Sequence, residues 1–142
     1  MRHTHYCLVL FLLAVLAPLS VSAEPPASCK SPRDAVDSLF GWLSEEHHNP
    51  AKATRCLDRA GRSTSELRES AQRVKTVYAA RALKIDTARF SDEPGWVNPD
   101  TRRASIAPHG AFPNILVERQ ADGMWRWSRA SLDAIDEIYE DS

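Results

Sequence analysis

The most informative part of this sequence is NILVERQADGMWRWS, residues 114–128. Within it Ile115 and Val117 share one face and Leu116 lies on the other, which is the two-residue period of a strand. The polar break at 121–123, Ala-Asp-Gly, predicts a hairpin turn, because Asp-Gly accepts the positive φ that such turns require. We therefore predict one strand over residues 114–120 and a second over residues 124–128.

The second strand contains a Trp-Arg-Trp triplet. Trp125 and Trp127 lie on one face, with Arg126 and Arg119 on or near the opposite face. Two indoles at this spacing are typical of the core of a small sheet packed on helices. Aromatic rings also bind ligands or stack on partners. These four residues are therefore the candidate ligand or partner surface.

A first helix is predicted upstream of the sheet. Ser31 is its N-cap, Pro32 fits its first turn, and Asp34 completes a capping box. We expect this helix to end near Glu46. Its apolar stripe, at helical spacing, consists of Val36, Leu39, Phe40 and Leu43.

Two more helices follow the first. A short one is predicted over residues 49–57, ending before Gly61, a residue that commonly terminates helices. Ser63 and Glu66 then form a second capping box. The helix that they begin is the longest and is predicted over residues 63–80.

Strand and loop signals replace helical ones after residue 80. Alternating apolar and charged residues predict a short strand over 83–86, and Pro, Gly, Asn and Asp residues predict a surface loop over 90–100. Another strand is predicted over 103–107. Ser128 or Ser131 caps a final helix, whose inward face is formed by Leu132, Ile135, Ile138 and Tyr139.

This order of elements predicts the fold class. Three N-terminal helices, a three- to four-stranded antiparallel sheet and one C-terminal helix indicate an α+β fold, with helices covering one face of the sheet. We assign the single domain to residues 31–142 and a Pro-rich, extended lead-in to residues 24–30.

Residues 1–23 have the pattern of a cleavable secretory signal. Arg2 precedes an apolar run over 7–16, and small residues occupy the −3 and −1 positions of a cleavage site after Ala23. The run is shorter than the ~20 residues that span a bilayer. An uncleaved anchor is the alternative, which Pro18 disfavours. The pattern predicts export to the periplasm or the medium.

Two cysteines follow the leader, Cys29 and Cys56. An even number in an exported chain predicts a disulfide. Two free thiols, or a lipidated Cys29 beside a free Cys56, are the alternatives. The residues before Cys29, Pro-Ala-Ser, lack the aliphatic −3 residue that lipidation sites usually carry.

Composition excludes several classes of function. The net charge of −1, one unit more negative once Arg2 is removed, gives no basic footprint for nucleic acid. Gly-x-Ser-x-Gly is absent, so no nucleophile motif is present. The five glycines form no phosphate-binding loop, and we expect no cofactor. No apolar run after the leader is long enough to span a membrane.

Two histidines and four carboxylates are the remaining polar candidates. His47 and His48 are adjacent, diverge on a helix and have no third ligand at a metal spacing. We interpret them as solvated residues between helices, with metal binding as the alternative. Either histidine could pair with a carboxylate in acid–base catalysis. The carboxylates are Asp34, Asp37, Asp58 and Asp86. We predict no catalytic residue and no metal ligand.

The C-terminal third resembles a known domain. NILVER at 114–119, WRWS at 125–128 and IDEIYE at 135–140 are similar to a periplasmic segment that precedes the membrane channel in some small-conductance mechanosensitive channel (MscS-like) proteins. The resemblance extends more loosely over residues 31–140. It implies an extracytoplasmic, non-catalytic domain that is accessory to a membrane partner. Those proteins continue into membrane helices, which this sequence lacks after Ser142, so conduction is not implied.

Three hypotheses follow. The first is an exported, non-enzymatic module that binds an envelope component or an inner-membrane protein. The second is a small-ligand binding protein or enzyme with a cone-shaped pocket, as in nuclear-transport-factor-like domains, lined by Trp125 or Trp127 together with an Asp or His. The third is a remnant of a channel gene.

Overall fold

A computed structural model describes residues 23–142. The predicted secretory signal therefore lies outside the described residues, apart from Ala23. The elements, in chain order, are α1 (Pro32–Trp42), α2 (Pro50–Ala53), α3 (Thr64–Ala80), a 3-10 helix (Thr87–Arg89), β1 (Ser105–Ile106), β2 (Val117–Arg119), β3 (Trp125–Trp127) and α4 (Arg129–Glu140). The prediction of an α+β fold with three N-terminal helices and a C-terminal helix is confirmed.

The three strands form an antiparallel sheet in the order β1-β2-β3. In its register, Val117 pairs with Trp127, and Glu118 pairs with Ser105 on one side and Arg126 on the other. The predicted hairpin turn joins β2 to β3, with Gly123 at φ 83° and its N–H donating to the carbonyl of Gln120 at 2.9 Å. The observed strands are shorter than the predicted ones but share their centres.

The core lies between the helices and one face of this sheet. Trp125 and Trp127 are completely buried in it, together with apolar residues of α1, α3 and α4. Tyr78 is at the centre of an aromatic cluster, with edge-to-face contacts to Phe40, Phe112 and Trp127 at centroid distances of 5.6, 5.2 and 6.2 Å. Such pairs add to the stabilisation that burial alone provides.

The indole N–H groups are satisfied by loop and helix carbonyls. The Nε1 of Trp127 donates to the carbonyl of Ala35 at 3.1 Å, and the Nε1 of Trp125 donates to the carbonyl of Pro94 at 2.9 Å. The predicted loop over residues 90–100 thus passes over the sheet. Both hydrogen bonds allow the polar edge of a large aromatic residue to be buried without a desolvation penalty.

Capping residues begin the helices as predicted, with one difference. Ser63 and Glu66 form a complete capping box on α3, and Ser128 caps α4. Ser31 caps α1 by accepting from the N–H of Asp34, but the Asp34 carboxylate accepts from the hydroxyl of Ser28 at 2.9 Å. The predicted capping box on α1 is therefore half formed, because the lead-in provides a competing donor.

The first two helices end earlier than predicted. Helix α1 stops at Trp42, whose carbonyl accepts from the N–H of Asn49 at 2.6 Å. The next carbonyl, of Leu43, accepts from the ammonium of Lys75 at 2.7 Å. Helix α2 stops at Ala53, because the following residues turn toward β3. Hydrogen bonds to distant segments thus take the place of the last helical turns that the sequence pattern predicted.

The predicted strand over residues 83–86 is wrong. Helix α3 ends in a Schellman motif, in which Leu83 N–H donates to the carbonyl of Tyr78 and Ala82 N–H donates to that of Ala79. The chain then runs without a strand partner to the 3-10 helix. Leu83 and Ile85 pack against the core. Their alternation with charged residues therefore reflects burial of one side of this segment, and it does not indicate pairing in a sheet.

Two further features concern surfaces. On α4, Leu132 and Ile135 are buried as predicted, Ile138 is half-buried and Tyr139 is 38% exposed. The predicted inward position of Tyr139 is therefore wrong, and its ring instead packs beneath the guanidinium of Arg73.

None of the helices within residues 23–142 has both the length and the apolarity required to cross a membrane.

Candidate functional site

The two tryptophans of the predicted surface are not accessible. Trp125 and Trp127 both have 0% exposure, and their rings face the helices and the loop over residues 90–100. The core interpretation of these indoles agrees with the structure. Neither ring is placed to contact a partner or a soluble ligand.

The two arginines of that surface are separated by the sheet. Arg119 pairs in register with Trp125, and its N–H donates to Ala104 at 3.0 Å, so it belongs to the tryptophan side of the sheet at an exposed end. Arg126 pairs with Glu118 on the opposite face. Of these two arginines, Arg126 lies beside residues from other segments, and those residues could share a ligand with it.

Arg126 lines an open cleft, which we call the Arg126 cleft. Its volume is about 470 Å³. The cleft lies between β3, the start of α3 and the segment that follows α2. Its walls include Arg55, Asp58, Arg59, Leu67, Gln120 and Arg126.

The guanidinium of Arg126 is held in one orientation. Its Nη1 donates to Oε1 of Gln120 at 2.7 Å and to Oδ1 of Asp122 at 3.0 Å. The Nε2 of Gln120 in turn donates to Oδ2 of Asp58 at 3.0 Å. The pKa of Asp122 is lowered, chiefly by the N–H of Met124 and then by Arg126, so the carboxylate that orients Arg126 stays ionised at neutral pH.

The other two arginines of the cleft are less constrained. Nη1 of Arg55 makes one long hydrogen bond, 3.5 Å, to the carbonyl of Ala27. Arg59 is exposed and makes no side-chain hydrogen bond or ion pair with residues 23–142. Three guanidinium groups therefore share the cleft with the carboxylate of Asp58, and the carboxylate of Asp122 pairs with Arg126 at its margin. Three positive charges against two negative ones leave a small excess of positive charge.

Backbone pairing along β3 brings these arginines together. Leu57 forms a parallel bridge with Trp127, and the N–H of Asp58 donates to the carbonyl of Trp127 at 3.0 Å. The predicted disulfide between Cys29 and Cys56 is confirmed. It fixes the position of Cys56, the residue just before this bridge. Sequence reasoning identified Arg126 and, separately, Asp58, but not Arg55 or Arg59, because the parallel bridge that brings them together is a tertiary contact. No local pattern placed Arg55 and Arg59 together, because both follow the end of α2.

The chemistry of the cleft is that of an anion-binding site, since guanidinium groups match the geometry of carboxylate, phosphate and sulfate oxygens. No family model, curated protein or solved structure matches this chain. The class of ligand therefore follows from the donors in the cleft alone. A small oxyanion, or an oxyanion carried by a larger molecule, is the ligand that three guanidinium groups and an amide would hold.

The two histidines do not line this cleft, and they differ in their surroundings. The ring of His47 packs edge-to-face on Trp42 at 6.0 Å and lies 4.0 Å from Glu46, while His48 is exposed. Across the described part of the chain, no three His, Cys, Asp or Glu residues are grouped as metal ligands. The metal-binding alternative for His47 and His48 has no third ligand there.

The four carboxylates singled out from sequence are dispersed. Asp34 accepts from Ser28, Asp86 caps the 3-10 helix through the N–H of Ala88, and Asp58 belongs to the Arg126 cleft. Burial raises the pKa of Asp37, the charge of nearby Asp34 adds to the increase, and Arg33 opposes it. Asp37 lies under the lead-in on α1, away from the cleft, so the one carboxylate with a raised pKa does not face the candidate site.

Proposed function

We propose that this chain is an exported, non-enzymatic binding module that holds an oxyanion-bearing component of the cell envelope in the Arg126 cleft. The observation that carries this proposal is the Arg126 guanidinium, which Gln120 and Asp122 orient in a cleft that Arg55 and Arg59 also line. A positioned guanidinium loses less conformational freedom when it binds an anion than a free side chain does.

The guanidinium nitrogens of Arg126 that Gln120 and Asp122 do not use are available to donate to a bound anion. Only Nη1 of its guanidinium is used by Gln120 and Asp122, so Nε and Nη2 make no hydrogen bond within residues 23–142. Its side chain is 24% exposed, which leaves these nitrogens partly shielded from water. Charge-assisted hydrogen bonds in such a place are stronger than at an open surface.

Export is supported by the leader pattern and by the disulfide. Structural disulfides persist in oxidising compartments and are rare in the cytosol. The resemblance of residues 31–140 to the periplasmic domain of MscS-like channel proteins supports an accessory role beside a membrane partner. A module of this kind needs a binding surface and no catalytic centre.

The alternative of a cone-shaped ligand pocket has no comparable support. Its distinguishing feature was an open cavity lined by Trp125 or Trp127. Both rings are buried by the core instead, and the Arg126 cleft has Leu57 and Leu67 as its only apolar walls.

The binding proposal is tested by titrating inorganic phosphate and sulfate into the oxidised chain of residues 24–142 and following backbone amide NMR shifts. We expect shifts confined to residues 54–59 and 120–126. Arg59→Gln should weaken phosphate binding about tenfold, the effect of losing one charge-assisted contact. Arg68→Gln, an exposed change on α3, is the matched control. Equal effects of the two variants, or no local shifts, would overturn the proposal.

Export is tested separately by the mass of the protein recovered from the producing cells. Leader removal after Ala23 predicts a chain that begins at Glu24 in the extracytoplasmic fraction. Recovery of the full-length chain from the cytosol would contradict export without bearing on the Arg126 cleft.

A further inference from the structure

The opposite edge of the sheet, formed by β1, carries a second group of unpaired cations. One backbone acceptor on this edge is already occupied, because the side-chain amide of Asn98 donates to the carbonyl of Ser105 at 3.3 Å. The N–H of Asn98 also donates to the carbonyl of Arg103 at 2.9 Å. A partner strand therefore cannot add to this edge at Ser105, and any contact there has to be made through side chains.

Two clefts flank β1, and we call them the edge clefts. The first has a volume of about 470 Å³ and is lined by Lys84, Asp86, Arg89, Phe90 and His109. The second has a volume of about 490 Å³ and is lined by Asn98, Thr101, Arg103, Pro113 and Leu116. Both clefts are also lined by Ile106, Ala107 and Gly110, so they adjoin each other along this segment.

The charges in the edge clefts are mostly positive and unused. Lys84, Arg89 and Arg103 make no side-chain hydrogen bond or ion pair inside residues 23–142. The one carboxylate, of Asp86, has an oxygen occupied by the N–H of Ala88 at 3.1 Å. Nδ1 of His109 accepts from the N–H of Ala111, which leaves its Nε2 available as a donor.

The floor between these charges is apolar. Ile106 and Leu116 are half-buried and Phe90 is 6% exposed, while Val97, in the adjoining loop, is 47% exposed. Apolar surface with a polar rim is the usual anatomy of a protein-binding patch, and arginine is enriched in such patches. Charge complementarity determines the kind of segment that fits it.

We infer that the edge clefts bind an extended acidic segment of a partner protein that runs along β1, with its carboxylates on Lys84 and Arg89 in the first cleft and on Arg103 in the second. An apolar side chain of that segment would lie over Ile106, which lines both clefts. This surface is independent of the Arg126 cleft. The two lie at opposite edges of the sheet, since β1 and β3 are its outer strands. The module can therefore hold an envelope oxyanion and a protein partner at the same time.

The test uses three fluorescent peptides of about twelve residues, which span roughly 40 Å when extended. One contains Glu, Leu and Ser, the second has Gln in place of Glu, and the third has Lys in place of Glu. Binding to the oxidised chain is measured by anisotropy at low salt, because screening weakens exposed charge pairs. We expect the acidic peptide to bind at least about tenfold more tightly than the Gln peptide and the Lys peptide not to bind.

Two variants locate the binding site on the protein. Arg89→Glu and Lys84→Glu should each reduce affinity for the acidic peptide, because both side chains are exposed and make no contact that the fold requires. Arg68→Glu is the control for charge reversal elsewhere, and Arg59→Gln separates this surface from the Arg126 cleft. Neither should change peptide affinity.

Three outcomes would overturn the inference. The first is equal binding of the acidic and Gln peptides, and the second is equal loss of binding in Arg89→Glu and Arg68→Glu. The third comes from vesicles containing phosphatidylglycerol. If these bind through Arg89 while the acidic peptide does not, the edge clefts are a lipid contact and not a protein-binding surface.

Discussion

Cys29 and Cys56 lie side by side along the outer edge of β3, and each accepts a hydrogen bond from a tryptophan of that strand. The N–H of Trp125 donates to the carbonyl of Cys29 at 2.7 Å, and the N–H of Trp127 donates to that of Cys56 at 2.8 Å. Their disulfide therefore joins the two segments that close this edge of the sheet.

Removing this disulfide should lower stability substantially. The two cysteines are 27 residues apart, and the chain-entropy relation gives about 3–4 kcal/mol for a loop of that length. We expect the double variant Cys29→Ser, Cys56→Ser to lose this amount in urea denaturation. Reduction of the wild-type chain with dithiothreitol should give the same loss. Unchanged midpoints in both experiments would show that the bond contributes little to the fold.

The hydroxyl of Tyr78 makes no hydrogen bond inside the described structure, although the residue is 1% exposed. Burial raises the pKa of Tyr78 far above its ordinary value of 10.0. Because the isolated hydroxyl is desolvated without compensation, Tyr78→Phe should leave the free energy of unfolding unchanged or raise it by up to about 1 kcal/mol. Thermal and urea unfolding of the purified variant provide the measurement.

Trp127 is the matched control for Tyr78. Its Nε1 hydrogen bond to Ala35 is buried, so Trp127→Phe removes a satisfied bond and also leaves a cavity. We expect a loss of about 2–4 kcal/mol. A larger loss for Tyr78→Phe than for Trp127→Phe would contradict the assignment of the unpaired hydroxyl.

Asp37 should make stability depend on pH. Since burial raises its pKa in the folded chain, the folded state binds this proton more tightly than the unfolded state does. The resulting penalty is absent below the ordinary pKa of 3.8 and develops fully as pH rises through the folded pKa. Asp37→Asn should therefore raise stability at pH 7, and its advantage should disappear near pH 3.

The control for Asp37 is Asp100→Asn, a change to an exposed carboxylate in the loop before β1. It should not alter the pH profile of stability. Denaturant midpoints measured from pH 3 to pH 8 compare the two variants. A stabilisation by Asp37→Asn that is the same at every pH would refute the electrostatic explanation.

Ala82 adopts a conformation that favours glycine. It has φ 53° at the C′ position of the Schellman motif that ends α3, and its side chain is exposed. An L-residue in this region is strained, so Ala82→Gly should raise the free energy of unfolding by about 0.5–1 kcal/mol. Ala80→Gly, at the last residue of the same helix, should lower it instead. Chemical denaturation of both variants tests the opposite signs.

Short sequence patterns predicted those parts of the fold that neighbouring residues determine. Ser63 and Glu66 identified the start of α3, and the Asp-Gly pair identified the turn before β3. The Trp-Arg-Trp triplet identified a strand with one buried face. Each of these features is fixed by hydrogen bonds or burial within a few residues of sequence.

Apart from the Cys29–Cys56 disulfide, the features discussed here that depend on distant segments were not predicted. The alternation at Leu83 and Ile85 indicated a strand because sequence shows which side chains are apolar, but not whether a backbone partner is within reach. The Arg126 cleft was missed for the same reason, since Arg59 reaches it only through the parallel bridge between Leu57 and Trp127. Arg119 and Arg126 were grouped although the register places them on opposite faces.

Both outer strands of this small sheet are covered by irregular backbone: Asn98 covers β1 at Ser105, and the segments ending at Cys29 and Cys56 cover β3. Open strand edges are templates on which further copies of a chain can stack into aggregates. The oxidised protein should accordingly remain dispersed in concentrated solution. A thiol reductant, by freeing the Cys29 segment, should increase light scattering before the helices melt.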